Sequence, residues 1–173
     1  GVAVLASTAC SSAEQIAWAQ AQTQAVRLDP DWAGGDYHPG PGPVRGLGIA
    51  RRIAHTTYRS AAELEGRFGR AAQGAEDPFG TVAGPRVGRY QVESYLDHQA
   101  AKLVDRFDAG SYVTLTEALM SHDVGRGRGG VEAALAGYPG RAFVAAVDSD
   151  RLYFPAESER LASLLPGEVP VHT

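Results

Sequence analysis

The chain has 173 residues, 44% of them hydrophobic and 21% charged, which is the composition of a folded domain of ordinary size and not of a disordered segment. Lys and Arg number 16 and Asp and Glu 20, for a net charge of −4, and no basic patch supplies the field a nucleic-acid partner requires. No apolar run approaches the roughly 18–20 residues of a membrane span. Cys10 is the single cysteine, which excludes an internal disulfide framework and a multi-cysteine metal site and suits a reducing, cytoplasmic setting.

Gly1 to Ser7 is apolar throughout and reads as a strand buried on both faces in a parallel sheet. It is too short for a signal h-region and has no basic flank. A chain that opens within a strand is expected to be a piece of a longer one. Ser12-Ala-Glu-Gln15 has the capping-box pattern and opens an Ala- and Gln-rich helix, which should stop near Leu28 because Asp29-Pro30 disfavours the helical conformation at the residue before proline. Residues 29–44 hold four glycines and four prolines and read as a long irregular loop, a type that is often functional.

A second helix is expected over about 45–58, with Leu47, Ala50, Ile53, Ala54 and Thr57 on one face. Ser60-Ala-Ala-Glu63 caps a third helix that ends near Phe68-Gly69. Residues 72–89 read as a second Gly/Pro-rich loop. An amphipathic helix over 90–107 carries Val92, Tyr95, Leu96, Gln99, Leu103 and Val104 as its stripe. A fifth helix covers about 111–122 and is broken by Gly125-Arg-Gly-Arg-Gly-Gly130, and a short one covers 131–136. Arg141 to Val147 is a second strand, apolar throughout. A helix from Pro155 to Leu165 follows, and 169–172 begins a third strand.

Strands separated by helical crossovers define an α/β class with a parallel sheet. The several helices between the first two strands are too many for one crossover and read as a lid. The expected division is 1–11 core strand and lid approach, 12–138 helical lid, and 139–173 core. Two or three strands form a small sheet with exposed edges, which again points to a missing part.

Asp148-Ser-Asp150 lies just past the carboxyl end of a parallel strand, the edge at which α/β sheets hold their sites. An Asp there can orient a histidine and stabilise its imidazolium in nucleophilic catalysis, or it can simply cap the next helix. Arg51-Arg52 lies within the second helix, and one of the two, facing inward, can clamp a carboxylate; solvated or salt-bridged arginines are the alternative. Tyr58, Tyr95 and Tyr112 read as packing residues. Of the histidines, His38 and His172 read as loop residues, and His55, His98 and His122 as helix-surface or hydrogen-bonded core residues. None pairs at metal-ligand spacing, so no metal is expected. His122-Asp123 is set aside as a catalytic pair because adjacent helical residues do not face each other. The glycine-arginine loop at 125–130 is a helix terminator or a phosphate cradle, but it is neither a Walker A loop nor a Rossmann fingerprint. No Gly-x-Ser-x-Gly elbow occurs.

These segments, taken in order, resemble the homoserine O-acetyltransferase family. The resemblance runs through Ser12-Ala-Glu-Gln-Ile-Ala-Trp18, Asp29-Pro-Asp-Trp32, Gly35-Asp-Tyr37, Gly46-Leu-Gly-Ile-Ala-Arg51 and Ile53-Ala-His-Thr-Thr-Tyr58. It continues through Val92-Glu-Ser-Tyr-Leu96 with Gln99, Arg106-Phe-Asp108, Tyr112 and Asp148-Ser-Asp-Arg-Leu-Tyr153. Ser121-His-Asp-Val-Gly-Arg-Gly-Arg-Gly-Gly130 resembles the actinobacterial branch. The resemblance implies an α/β-hydrolase fold and acetyl transfer from acetyl-CoA to the L-homoserine hydroxyl by a Ser-His-Asp ping-pong mechanism in methionine biosynthesis. It implies Asp150 as the triad acid and Arg51 as the substrate-binding arginine, with Tyr58 near the same tunnel. It implies acetyl-CoA as co-substrate with no other cofactor, and a homodimer joined by lid helices.

The family's nucleophilic serine falls upstream of the first strand and its histidine downstream of the last helix, so these residues alone are expected to be inactive. Phe154, inserted between Tyr153 and Pro155, and Gly110 in place of a common Asn depart from the pattern. Two alternatives stand beside this reading. One is a related acyltransferase using succinyl-CoA or taking serine as acceptor, and the other is a non-catalytic, lid-derived association module.

Overall fold

The computed structural model describes residues 1–74 and 88–173. Strand β1 (Val2–Leu5) leads to helix α1 (Ala13–Arg27). The cap forms as the sequence dictates: Gln15 donates its N–H to Ser12 Oγ (3.2 Å), and Ser12 donates its own to Gln15 Oε1 (2.9 Å). The loop that follows is more ordered than its composition suggests. Pro30–Gly35 is a 3-10 turn capped by the buried carboxylate of Asp29, whose Oδ1 accepts from Asp31 N–H (3.1 Å) and whose Oδ2 accepts from Gly46 N–H (2.7 Å). One side chain therefore fixes both the loop and the start of α2 (Val44–Thr57).

Helix α3 (Ala61–Phe68) is capped by Ser60 Oγ, which accepts from Glu63 N–H at 3.1 Å. Strands β2 (Ala72–Gln73) and β3 (Arg89–Tyr90) pair antiparallel. The loop expected at 72–89 thus has strand residues at its ends, and its positions 75–87 lie outside the described residues. Helix α4 (Gln91–Val104) follows, with Glu93 Oε2 accepting from Tyr90 N–H (2.7 Å). Helix α5 (Ala109–Met120) starts two residues before the expected Ser111, because Asp108 Oδ2 accepts from Ser111 N–H (2.7 Å) and so caps the turn. Helix α6 (Val131–Ala136), strand β4 (Ala142–Ala145), helix α7 (Pro155–Ser163) and strand β5 (Val171–His172) complete the order.

The sheet order is β1-β4-β5, all parallel, with Val4 opposite Val144 and Val144 opposite Val171. The expected burial on both faces is corrected. Registered residues of parallel neighbours share a face. Val4, Val144 and Val171 face the core that Leu161, Ala162 and Leu165 close. Leu5, Phe143 and Val147 are exposed instead. Strands that read as continuously apolar are therefore covered on one side only among the described residues.

The chain divides into two compact units, 1–20 with 113–173 and 21–112. The first holds the sheet, α6 and α7. The second holds α2, α3 and α4, with Leu47, Ala50 and Ala54 of α2 and Ala100 and Leu103 of α4 buried. The expected lid of 12–138 takes in this unit together with parts of the first. On α1, Ile16 is exposed, and the buried line is Gln15, Ala19, Thr23 and Val26.

Candidate functional site

Asp150 stands just beyond the carboxyl end of β4, and its Oδ1 accepts from both Leu152 N–H and Tyr153 N–H at 2.8 Å. This is an Asx turn that closes before α7 begins, so the carboxylate shapes its own loop and does not cap the helix. Both contacts fall on one oxygen. The loop is held from behind by Gln15, which is buried. Its Nε2 donates to Leu152 O (2.8 Å) and to Glu157 Oε2 (3.0 Å). Burial raises the Glu157 carboxyl above its ordinary range, with the Gln15 hydrogen bond working in the opposite direction. A small cavity of about 160 Å³ at this edge is lined by Thr8, Cys10, Ser12, Glu157 and Leu161, among others.

Arg51 lies in the other unit, on α2. Its guanidinium carbon sits 5.5 Å from the centre of the Tyr58 ring, and its Nε is buried with no hydrogen-bond partner. Arg52, one position on, points elsewhere and pairs with Asp97 at 2.8 Å. The two arginines thus divide between the inward and the salt-bridged alternatives.

Around Arg51 stand His55, Tyr58 and Tyr112. His55 is buried, its Nδ1 3.1 Å from the Tyr95 hydroxyl and its ring 5.4 Å from that of Tyr58. Burial lowers its pKa to about 4, and the charges of Arg51 and Arg59 act in the same direction, so the imidazole is neutral at physiological pH. Tyr112 donates to Gln22 Oε1 (2.5 Å). Burial pushes its hydroxyl to about 12, reinforced by Tyr58 and opposed by Arg51. Tyr58 itself is exposed, and its ring adjoins both Arg51 and His55. Helical spacing is the signal for His55, since 51 and 55 fall on a single stripe of α2, with Tyr58 at its C-terminal cap.

The other candidates are structural. His122 Nε2 lies 3.1 Å from Thr8 O, and Asp123 Oδ1 accepts from Gly125 N–H (2.8 Å), so these neighbours diverge. In the glycine-rich loop, Arg126 turns back on Ser121 O and Arg128 on Val124 O (2.8 Å). Both arginines are thus committed to backbone carbonyls, which favours the terminator reading over the phosphate cradle. His38 is exposed, 3.8 Å from Asp108. Among the described residues no cluster of three His, Cys, Asp or Glu side chains is placed to hold a metal, and no helix is long and apolar enough to cross a membrane.

The parallel sheet with its large helical insertion defines the class as the α/β-hydrolase fold. A homoserine O-acetyltransferase from Bacillus anthracis superposes over 98% of this chain and 45% of its own with a TM-score of 0.87 at 21% identity. Esterase E22, as its L374D mutant, covers 99% of this chain and 47% of its own at TM-score 0.82 and 16% identity. No protein-family model matches the chain. In sequence, the chain is 60% identical over 166 residues to homoserine O-acetyltransferase of Thermobifida fusca. It is 54% identical over 165 residues to that of Mycobacterium tuberculosis. Each match takes in 95% of this chain and 42% of the relative, so the chain spans about two fifths of the length of these proteins. The resemblance read from the motifs is borne out over that span.

Proposed function

We propose that the chain is the acid-bearing and acceptor-binding part of an acyltransferase that moves acetyl from acetyl-CoA to the hydroxyl of L-homoserine. The observation that carries this reading is 60% identity over 95% of the chain to a protein of that name. In the proposed mechanism a serine oxygen, from the rest of the protein, attacks the thioester carbonyl. A histidine takes the serine proton and delivers it to the departing CoA sulfur. The homoserine hydroxyl then attacks the acyl-serine, gives its proton to the same histidine, and the serine leaves with that proton.

Asp150 would fix the histidine tautomer and stabilise the imidazolium, using the oxygen not engaged by Leu152 and Tyr153. Arg51 would hold the homoserine carboxylate, the charged acceptor that a half-buried guanidinium selects. The setting proposed with this is methionine biosynthesis in the cytoplasm, by a homodimer joined through lid helices, with the 173 residues inert by themselves.

A second reading is favoured by the esterase among the structural neighbours, which would direct the acyl-enzyme to water. The test is release of the CoA thiol from acetyl-CoA by the full-length protein with and without L-homoserine. Release that requires homoserine supports acyl transfer; equal release without it establishes hydrolysis. Succinyl-CoA in place of acetyl-CoA, and serine in place of homoserine, decide donor and acceptor in the same assay. In that assay Arg51→Ala is expected to raise KM for homoserine roughly 10- to 100-fold, the loss of a charge-assisted hydrogen bond. Unchanged homoserine kinetics would remove Arg51 from the binding role.

A further inference from the structure

Two buried nitrogens on successive turns of α2, Arg51 Nε and His55 Nε2, have no hydrogen-bond partner. Buried polar atoms are nearly always satisfied, so an exception of this kind calls for an explanation, and a bound ligand is one. The direction of each hydrogen follows from the neighbours. Arg59 Nε donates to the Tyr95 hydroxyl at 3.4 Å, and an arginine has no other option. Tyr95 has a single proton of its own, and its remaining partner is His55 Nδ1, at 3.1 Å. With the Tyr95 proton directed to this contact, Nδ1 accepts and the neutral imidazole carries its hydrogen on Nε2. In that tautomer both orphan atoms are donors. Residues four apart on a helix lie side by side, and both adjoin the Tyr58 ring, at 5.5 Å and 5.4 Å. That ring is itself 56% exposed, so the stripe is open to solvent at its Tyr58 end.

Two N–H donors on successive turns that adjoin one ring, one on a cation and one neutral, suit an anionic oxygen acceptor. We propose that His55 is a second acceptor-binding residue, its Nε2–H joining Arg51 in holding the carboxylate of the amino-acid acceptor. This rests on the acyltransferase reading above. A neutral donor adds direction without a second positive charge, so it favours a carboxylate placed in one orientation over any anion held by charge alone. Tyr95 is then a positioning residue, since its proton fixes the tautomer.

The test uses the two amides that mimic the two imidazole nitrogens, in the full-length enzyme. His55→Gln keeps an N–H donor near the Nε2 position, and His55→Asn keeps an acceptor near Nδ1 but removes the distal donor. The expected result is a KM for L-homoserine raised about tenfold in His55→Asn, with kcat and the KM for acetyl-CoA changed much less, and a value within about threefold of wild type in His55→Gln. Equal effects in both variants, or the reverse order, overturn the proposal in favour of a packing role. Should either variant fail to fold, the wild-type protein answers the question by ¹⁵N-histidine NMR. The Nε2–H resonance of His55 shifts on saturation with L-homoserine if the contact exists, and an unmoved resonance overturns it. A wild-type enzyme without homoserine-dependent thiol release would bring down the acyltransferase reading and this proposal together, whereas an active enzyme with matched variants would bring down this proposal alone.

Discussion

Gln15 serves two ends with one side chain. Its carbonyl oxygen closes the capping box on Ser12, and its amide nitrogen reaches Leu152 O and Glu157 across the sheet edge. The box was legible in the sequence as a spacing; the second role depends on a residue 137 positions away and leaves no local signal. Gln15→Ala removes a cap partner and unties the turn that shapes Asp150. The expected cost is about 1–3 kcal/mol of stability, in the range of a lost cap plus buried hydrogen bonds, read as a lower midpoint in urea unfolding. Asp150→Asn keeps Oδ1 for the two backbone N–H groups, so stability is expected to hold, while kcat falls by roughly 10³–10⁴ if the residue orients the catalytic histidine. Intact turnover would remove Asp150 from the triad.

His55 also makes stability depend on pH. Its folded pKa, about 4, lies below the ordinary value of 6.5. The groups facing it are Arg51, Arg59, Tyr58 and Tyr95, and the arginines oppose a further charge. The unfolded chain binds a proton that the folded one refuses in the window between these values. Stability is therefore expected to be full above about pH 6.5 and to fall progressively toward pH 4. Thermal unfolding across that range in wild type and His55→Gln checks this: the variant lacks the histidine contribution, and identical pH slopes would assign the loss to other groups.

At the scale of elements, the approach of α2 to α1 is set by a missing side chain. A Cβ built on Gly46 would lie 2.4 Å from Ala25 O and 2.8 Å from Val26 Cα, closer than such atoms come. Both neighbours are backbone, so no rotamer change relieves the clash. The Gly46 N–H is also the donor to Asp29 Oδ2, so displacing the helix strains the capped loop as well. Gly46→Ala is expected to destabilise by about 1–3 kcal/mol, as overpacking does, although alanine has the better helix propensity. A calorimetric melting temperature below that of wild type would establish the close approach, and a higher one would refute it. Helices α1, α2, α3 and α4 were legible because caps and 3.6-residue stripes are local. The early start of α5 was missed because its cap, Asp108, stands behind an ordinary-looking Ala-Gly pair. The ordered turn at 30–35 was missed because proline and glycine content says where a chain bends, not which carboxylate gathers the bend.

At the scale of the whole molecule, the fold class was legible from strand spacing and the large insertion, but the burial of the sheet was not. A strand that is apolar at every position reads as doubly covered, and only the register shows which positions share a face. Leu5 and Phe143 lie with Ala3 and Ala145 on the side away from Leu161 and Leu165, and Phe143 stacks on His172 at 4.8 Å instead of packing under a helix. Leu5 is 62% and Phe143 47% exposed. A contiguous apolar face of this kind on a sheet is a surface for association. The 173 residues produced by themselves are therefore expected to bind a hydrophobic dye and to self-associate at micromolar concentration, both diminished by Phe143→Lys. In the full-length protein, if further helices cover this face as the doubly covered sheets of the class do, the dye response is absent. There Phe143→Lys instead costs about 2–5 kcal/mol by burying a charge or opening the core. Sedimentation velocity and dye fluorescence on the two lengths of chain separate the cases. A monomeric, dye-silent short chain would show that this face needs no cover, and with it would fall the reading of the sheet as one side of a larger core.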